Sequence, residues 1–150
     1  MARNSLGLRG LSVLLCVLLL LICGCRLSAQ NAASCNLTVR VTGLRNAKGV
    51  VRLTLFRDTK AIETRELQID PATLTAKVGF EKLPQGTYAV NLFHDENKNG
   101  KMDQNFVGMP TEGYGMSNNP KKRMGKPGFD ETNFQINQPE MAIEIKTIYW

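Results

Sequence analysis

The run Thr87-Tyr88-Ala89-Val90-Asn91-Leu92-Phe93-His94 leads directly into Asp95-Glu96-Asn97-Lys98-Asn99-Gly100-Lys101-Met102-Asp103. In the first part, Tyr88, Val90 and Leu92 lie on one face of an alternating pattern, and His94 falls on the same face. A period of two predicts a β-strand with one buried face. The sequence therefore predicts a rigid strand that carries a polar, acidic loop at its end.

The 95–103 loop has the pattern D-x-N-x-N-G-x-x-D, in which short oxygen-bearing side chains alternate before a glycine. Calcium takes six to eight oxygen ligands, and a loop of the EF-hand type supplies them from its positions 1, 3, 5, 7 and 9 with glycine at 6. The predicted calcium ligands are Asp95, Asn97, Asn99, the backbone carbonyl of Lys101, and Asp103. The alternative is a plain β-turn, because Asn and Gly both tolerate the left-handed conformation.

The loop departs from the calcium pattern at position 12, where a bidentate Glu is expected and Phe106 stands. The nearest later carboxylate is Glu112, which becomes the candidate to complete the coordination. Two of the side-chain ligands are neutral amides, so the ligand charge is low. We therefore expect weak binding, at roughly 10⁻⁴–10⁻³ M, as in extracellular modules.

Further alternating runs predict an all-β, antiparallel β-sandwich of the immunoglobulin or prealbumin type with one long ordered loop. The first two runs, 37–42 and 51–55, are predicted to form a hairpin, followed by a polar loop at 57–60. Weaker signals at 62–69 fit a short irregular strand or a helical turn. Strands are also predicted at 73–80, 132–136 and 141–150, with a turn at 83–86 and a short helix or turn at 129–132. The long connection 106–140 is expected to be held by its apolar residues, which are Phe106, Val107, Tyr114, Met116, Phe129 and Phe134.

The N-terminus predicts export. Two arginines precede the apolar run 11–22, which is shorter than the roughly 20 residues of a membrane-spanning helix. Cleavage after Ala29 would release a periplasmic or extracellular protein from the signal peptide 1–29. The run Ile22-Cys23-Gly24-Cys25 resembles a lipobox, so the alternative is a lipoprotein signal 1–24 and a lipid anchor at Cys25. The folded domain is predicted to cover 35–150, with Cys35 at a strand start as the one mature cysteine after cleavage at Ala29, and so without an internal disulfide.

Charge argues against a nucleic-acid partner. The whole chain carries +6, but residues 1–29 contain three basic and no acidic residues, so the mature domain carries only +3. The densest basic cluster is Lys121-Lys122-Arg123 with Lys126. It is predicted to be a solvated loop, and the alternative is an anion or lipid-surface site.

Two signatures resemble a bacterial family. The run Phe80–Val90 followed by Phe93–Asp103, and then the run Gly108–Asn119, are similar to DUF2141, a domain of unknown function in exported proteins. The resemblance covers roughly Asn36 to Tyr149 and implies no established activity. The segment Leu83-Pro84-x-Gly86-x-Tyr88 also resembles transthyretin-like and carboxypeptidase-regulatory-like sandwiches, which implies an accessory or binding role.

The preferred functional hypothesis is an exported, non-enzymatic domain with a structural calcium loop and an envelope protein or glycan as partner. His94 is predicted to bond a backbone carbonyl rather than to act as a base, Ser117 lacks a nucleophile context, and one His with one Cys disfavours zinc. The 113–119 stretch either faces a ligand through Tyr114, Asn118 and Asn119 or packs across the calcium loop. The alternative hypothesis is an extracytoplasmic hydrolase or carbohydrate-active protein that uses Asp95, Asp103 or Glu112.

Overall fold

The computed structural model describes residues 34–121 and 125–150. The predicted signal segments 1–29 and 1–24 with Cys25, and the basic residues Lys122 and Arg123, lie outside the described residues. The described chain forms two β-sheets with a shared core, so the predicted all-β sandwich is confirmed. The elements are β1 (Ser34–Thr42), β2 (Val50–Arg57), β3 (Lys60–Leu67), β4 (Ala76–Pro84), β5 (Gly86–Asp95), β6 (Tyr114–Met116), α1 (Phe129–Thr132), β7 (Phe134–Ile136) and β8 (Glu140–Lys146).

One sheet has three strands in the order β4-β1-β8, and the other has the order β3-β2-β5-β6 with β7 also paired to β5. The pairing of β1 with β8 is parallel, and the other strand pairs are antiparallel. The predicted antiparallel arrangement therefore holds at every named strand pair except this one. The chain reaches β8 only after the long connection from β6, and this length permits a parallel return.

The alternating residues of the central strands fill the space between the sheets. Those of β1, β2 and β5 are buried, as the period of two predicts. Phe80 of β4 and Ile145 of β8 join them in one core cluster. The residues of these three strands in the core cluster include Leu37, Val39, Val41, Val51, Leu53, Leu55, Tyr88, Val90 and Leu92.

The predicted hairpin of β1 with β2 is wrong, because the two strands lie in different sheets. Their connection passes from one sheet to the other, and Leu44 near its start packs in the core cluster. The true hairpin joins β2 to β3, where Asp58 and Thr59 have φ values of 47° and 71°. Two successive positive φ values are typical of a tight two-residue hairpin turn, which sequence alone showed only as a polar loop.

The long connection after β5 is ordered, as predicted, but not by all of the expected apolar residues. Phe134 is buried, and Tyr114 and Met116 form β6. Phe106 is 100% exposed and Val107 64% exposed, so these two residues do not hold the loop. They lie at the tip of a small hairpin, which explains their exposure.

Within the described residues, no helix is long and apolar enough to cross a membrane.

Candidate functional site

The candidate site lies where β5 ends under the connection between β1 and β2. Gly49 in that connection has φ +70°, and a Cβ there would lie 1.9 Å from the carbonyl oxygen of Asp95. Such a contact is impossible for a side chain, so this position requires glycine. The close approach brings the connection onto the end of β5.

A hydrogen bond from His94 holds the connection against the end of β5. The His94 side chain is fully buried, and Nε2 lies 2.6 Å from the carbonyl oxygen of Lys48, to which it donates. Nδ1 lies 2.8 Å from the Tyr149 hydroxyl, which also accepts the Arg45 N–H at 3.2 Å. The predicted bond of His94 to a backbone carbonyl is confirmed. A histidine with both nitrogens engaged in this way joins the strand end to the C-terminal segment.

Asp95 is the anchor of the acidic loop. Its carboxylate is fully buried and accepts three hydrogen bonds, from Arg52 Nε at 2.8 Å, Gly100 N at 2.8 Å and Asn99 N at 3.0 Å. Burial works to raise the pKa of Asp95, but the hydrogen bonds from Arg52, Gly100 and Asn99 together hold the pKa below its usual range. Asp95 is therefore held as a carboxylate in the folded protein.

Asn97, Asn99 and Asp103 converge on one another at the exposed side of the loop. Asn97 Nδ2 donates to Asp103 Oδ2 at 2.6 Å, and Asn99 Nδ2 donates to Asp103 Oδ1 at 2.8 Å. Their own carbonyl oxygens accept backbone N–H groups two residues on, from Asn99 at 3.0 Å and Lys101 at 2.8 Å. The structure thus brings together the side chains of Asp95, Asn97, Asn99 and Asp103, all predicted from the sequence.

Glu112 closes the loop from the other side. Its buried carboxylate accepts the N–H of Glu96 at 2.8 Å and the N–H of Asp103 at 3.1 Å. The carboxylate predicted from sequence as a substitute at position 12 therefore lies against the loop and joins its first and last turns. It does so through hydrogen bonds to the backbone.

Arg52 is the part of the site that sequence reasoning missed. It lies on β2, paired in register with Phe93, and it bonds Asp95 through Nε and Glu66 through Nη2 at 2.7 Å. Hydrogen bonding to Asp95 and the charge of Glu66 raise the pKa of Arg52. A period-2 pattern places Arg52 on the outer face of β2, but no sequence signal gives its partner strand.

Comparison with known protein families matches residues 39–144 to DUF2141, described as an uncharacterized protein conserved in bacteria. The chain belongs to the DUF2141 family. The matched range begins in β1 and ends in β8, so it includes the 95–103 loop and Glu112. Comparisons with curated proteins and with solved structures gave no match.

The side-chain groups of this DUF2141 loop are of the type that binds a hard cation. Two of its amides, however, are turned with nitrogen rather than oxygen toward Asp103. Carboxylate and amide oxygens are the ligands calcium prefers, and two carboxylates and two amides meet here. Two amide N–H₂ groups now point at Asp103, and a turn of about 180° of each amide would present oxygen instead. Among residues 34–121 and 125–150, no group of three or more His, Cys, Asp or Glu could hold a metal.

The polar residues that follow β6 serve the fold. Asn118 Nδ2 donates to the carbonyl oxygen of Asn133 at 2.6 Å, and Ser117 Oγ accepts the Val90 N–H at 2.9 Å and bonds the Thr132 carbonyl. The side-chain amide of Asn119 donates from Nδ2 to the Glu144 carbonyl and accepts the Lys146 N–H at Oδ1, and both partners lie on β8. Of the three residues considered as ligand-facing, Tyr114 lines a groove on the outer face of the five-stranded sheet, Tyr114 and Asn119 line a smaller pocket, and Asn118 lines neither.

Proposed function

We propose that this chain is an exported, non-enzymatic β-sandwich module whose 95–103 loop binds calcium as a structural ion. The observation that supports it most is the convergence of Asn97 and Asn99 on Asp103, with buried Asp95 behind them. An ion at this place would neutralise Asp103, share Asp95 with Arg52, and hold the amide oxygens inward. The ligands are Asp95, Asn97, Asn99, the Lys101 carbonyl and Asp103, with Glu112 as the position-12 substitute.

A non-enzymatic role is supported by how the reactive groups are used. His94 and Ser117 are buried and hydrogen-bonded within the fold, and neither contacts the other in the described chain. Of the three carboxylates of the hydrolase alternative, Asp95 and Glu112 accept backbone N–H groups, and Asp103 accepts the side-chain amides of Asn97 and Asn99. A catalytic carboxylate must be free to exchange a proton with substrate, which such fixed acceptors resist.

The expected role is accessory: binding an envelope protein or glycan outside the cytoplasm, either as a released protein or through a lipid anchor at Cys25. Extracellular calcium loops bind the ion with dissociation constants of up to roughly 1 mM. The ion would then be a constitutive part of the exported fold rather than a signal.

Thermal unfolding in calcium and in chelator tests the ion. With 10 mM calcium and a dissociation constant of roughly 10⁻⁴–10⁻³ M, binding should add about 1.4–2.7 kcal/mol to the free energy of unfolding. For a domain of this size we expect a rise of several degrees in Tm, on the order of 3–10 °C. Asp103→Asn should remove the rise, since it removes the charge on which the loop converges.

The matched control is Asp58→Asn, which removes the same charge from an exposed turn of positive φ that Asn also tolerates. This variant should keep the full calcium response. Equal Tm in calcium and chelator for the unsubstituted chain would overturn the proposal, and so would a calcium response that Asp103→Asn retains.

A further inference from the structure

The outer face of the five-stranded sheet forms the floor of a groove of about 580 Å³. Because side chains alternate across a sheet, the register places Arg52, Phe93 and Tyr114 in one row and Thr54, Asn91 and Met116 in the next. Binding sites for small molecules commonly enclose about 300–1,000 Å³. The groove therefore has the size of a ligand site, and it lies on the opposite side of the sheet from the core.

The lining of the groove is mostly apolar and includes an unusual share of methionine. Met102 lies in the acidic loop and Met109 in the segment that follows it, and both line the groove together with Met116 of β6 and the aromatic residues Phe56 and Phe93. Three methionines adapt to a flexible apolar body at little cost because their unbranched side chains repack easily. Such a wall suits an alkyl chain better than a sugar, which needs a dense array of hydrogen-bonding side chains.

The charged side chains of the lining have one sign. Arg52 and Lys126 contribute to it, and none of the described lining side chains is acidic. Arg52 is already neutralised by Asp95 and Glu66. Lys126 forms no ion pair with residues 34–121 or 125–150 and is the cation left to meet an anion.

The floor also contains a polar group whose hydrogen bonding the chain does not complete. Asn91 Oδ1 is buried and has no hydrogen-bond partner within the described residues. Buried acceptors without a partner are uncommon in folded proteins, because they lose water without replacement. No bond at Oδ1 fixes the amide, so it is free to turn toward a polar group that enters the groove.

We infer that this groove binds an amphiphile with a single apolar chain and a carboxylate head, that is, a fatty carboxylate. The apolar body lies against Phe93, Met109 and Met116, and the carboxylate meets Lys126. This inference goes beyond the calcium loop and does not require the ion. It specifies a ligand class for the module and excludes a glycan at this surface.

Trp150 provides a direct readout, because it lines the groove and is the only tryptophan in the chain. The full chain, produced with its own N-terminal segment, is titrated with dodecanoate below its micelle concentration in chelator, so that the result does not depend on calcium. We expect a saturable change in tryptophan fluorescence with one site per chain. Dodecyltrimethylammonium, which has the same chain and the opposite charge, should bind at least tenfold more weakly.

Two substitutions separate the head-group contact from the apolar contact. Lys126→Glu should weaken dodecanoate binding at least tenfold, whereas Lys77→Glu on exposed β4 of the other sheet should leave it unchanged. Met116→Asp should abolish binding of the anion, and a normal unfolding temperature for this variant would show that the fold is intact. If it unfolds, Met109→Asp on the hairpin wall replaces it.

The inference is overturned if dodecanoate gives no saturable signal or if the cationic amphiphile binds as tightly as the anion. Equal effects of Lys126→Glu and Lys77→Glu would also overturn it, since long-range charge rather than this site would then govern binding. A failure here leaves the calcium response of the loop untouched, and a failure of the calcium test leaves the dodecanoate result standing.

Discussion

At the scale of single residues, Asp95 links the strand to the loop. Its carboxylate accepts hydrogen bonds from the N–H groups of Asn99 and Gly100 and from the guanidinium of Arg52. The sequence identified Asp95 as the first ligand of a metal loop because of its spacing. The structure adds a role that needs no metal, since three donors lose their acceptor if the carboxylate is removed.

Asp95→Ala should therefore lower the free energy of unfolding at pH 7 by about 2–3 kcal/mol, because buried donors are left without an acceptor. The pKa of Asp95 is depressed in the folded state despite its burial. Its contribution is therefore present above the unfolded pKa of about 3.9 and is lost as the pH falls through the lower folded pKa. The difference between the variant and the unsubstituted chain should shrink as the pH falls below about 4.

Urea unfolding at pH 7, 4 and 2.5 in chelator measures this difference without calcium. Asp130→Ala serves as the control, because Asp130 is exposed on α1 and should change the stability by less than about 0.5 kcal/mol at each pH. A difference between Asp95→Ala and the unsubstituted chain that stays constant across the three pH values would contradict the expected linkage.

At the scale of elements, the connection after β6 protects the edge of the three-stranded sheet. Asn119 Nδ2 donates to the Glu144 carbonyl at 2.9 Å, and Asn119 Oδ1 accepts the Lys146 N–H at 2.8 Å. One side chain thus pairs with β8 as a neighbouring strand would. An unprotected edge strand is a template for pairing with another chain, so this contact also guards against aggregation.

Asn119→Ala should lower the free energy of unfolding by about 1–2 kcal/mol through the loss of two hydrogen bonds. The Lys146 amide should exchange with solvent faster in the variant. Asn119→Asp is the graded control, since it keeps the acceptor for Lys146 and loses only the donor to Glu144. Amide exchange followed by NMR should rank Lys146 protection as highest in the unsubstituted chain, slightly lower in Asn119→Asp and lowest in Asn119→Ala. Equal exchange of the Lys146 amide in all three proteins would show that Asn119 does not protect the edge of β8.

Elements also show where sequence reasoning works and where it stops. The period of two located β1, β2, β4, β5 and β8, because each buries one face. It gave only a weak signal at β3, which fitted a short irregular strand or a helical turn, because Leu67 is the one buried residue of this strand and Glu63 the one half-buried residue. It failed at the partner of β1, because alternation shows which residues are buried but not which strand lies beside them. The same limit hid Arg52, whereas Asp95, Asn97, Asn99 and Asp103 are close in sequence and could be predicted together.

At the scale of the whole molecule, the acidic loop continues into one wall of the groove. Thr111 N donates to the Asp103 carbonyl at 2.9 Å, and Asn105 N donates to the Met109 carbonyl at 2.9 Å, so residues 103–111 form a short hairpin. Glu112, at the end of this hairpin, bonds back to Glu96 and Asp103. An ion bound at the proposed site should therefore also restrict the motion of the hairpin, including Met109.

Hydrogen exchange with and without calcium tests that extension. Calcium should slow exchange most at the amides of Thr111, Asn105 and Gly108, whose bonds close the hairpin. The amides of β1 and β4 in the other sheet should change little, because global unfolding rather than the loop limits their exchange. Equal slowing in both sheets would mean that the ion only stabilises the whole fold. Slowing confined to the hairpin and β6 would mean that an ion bound at Asp103 sets the order of the groove wall.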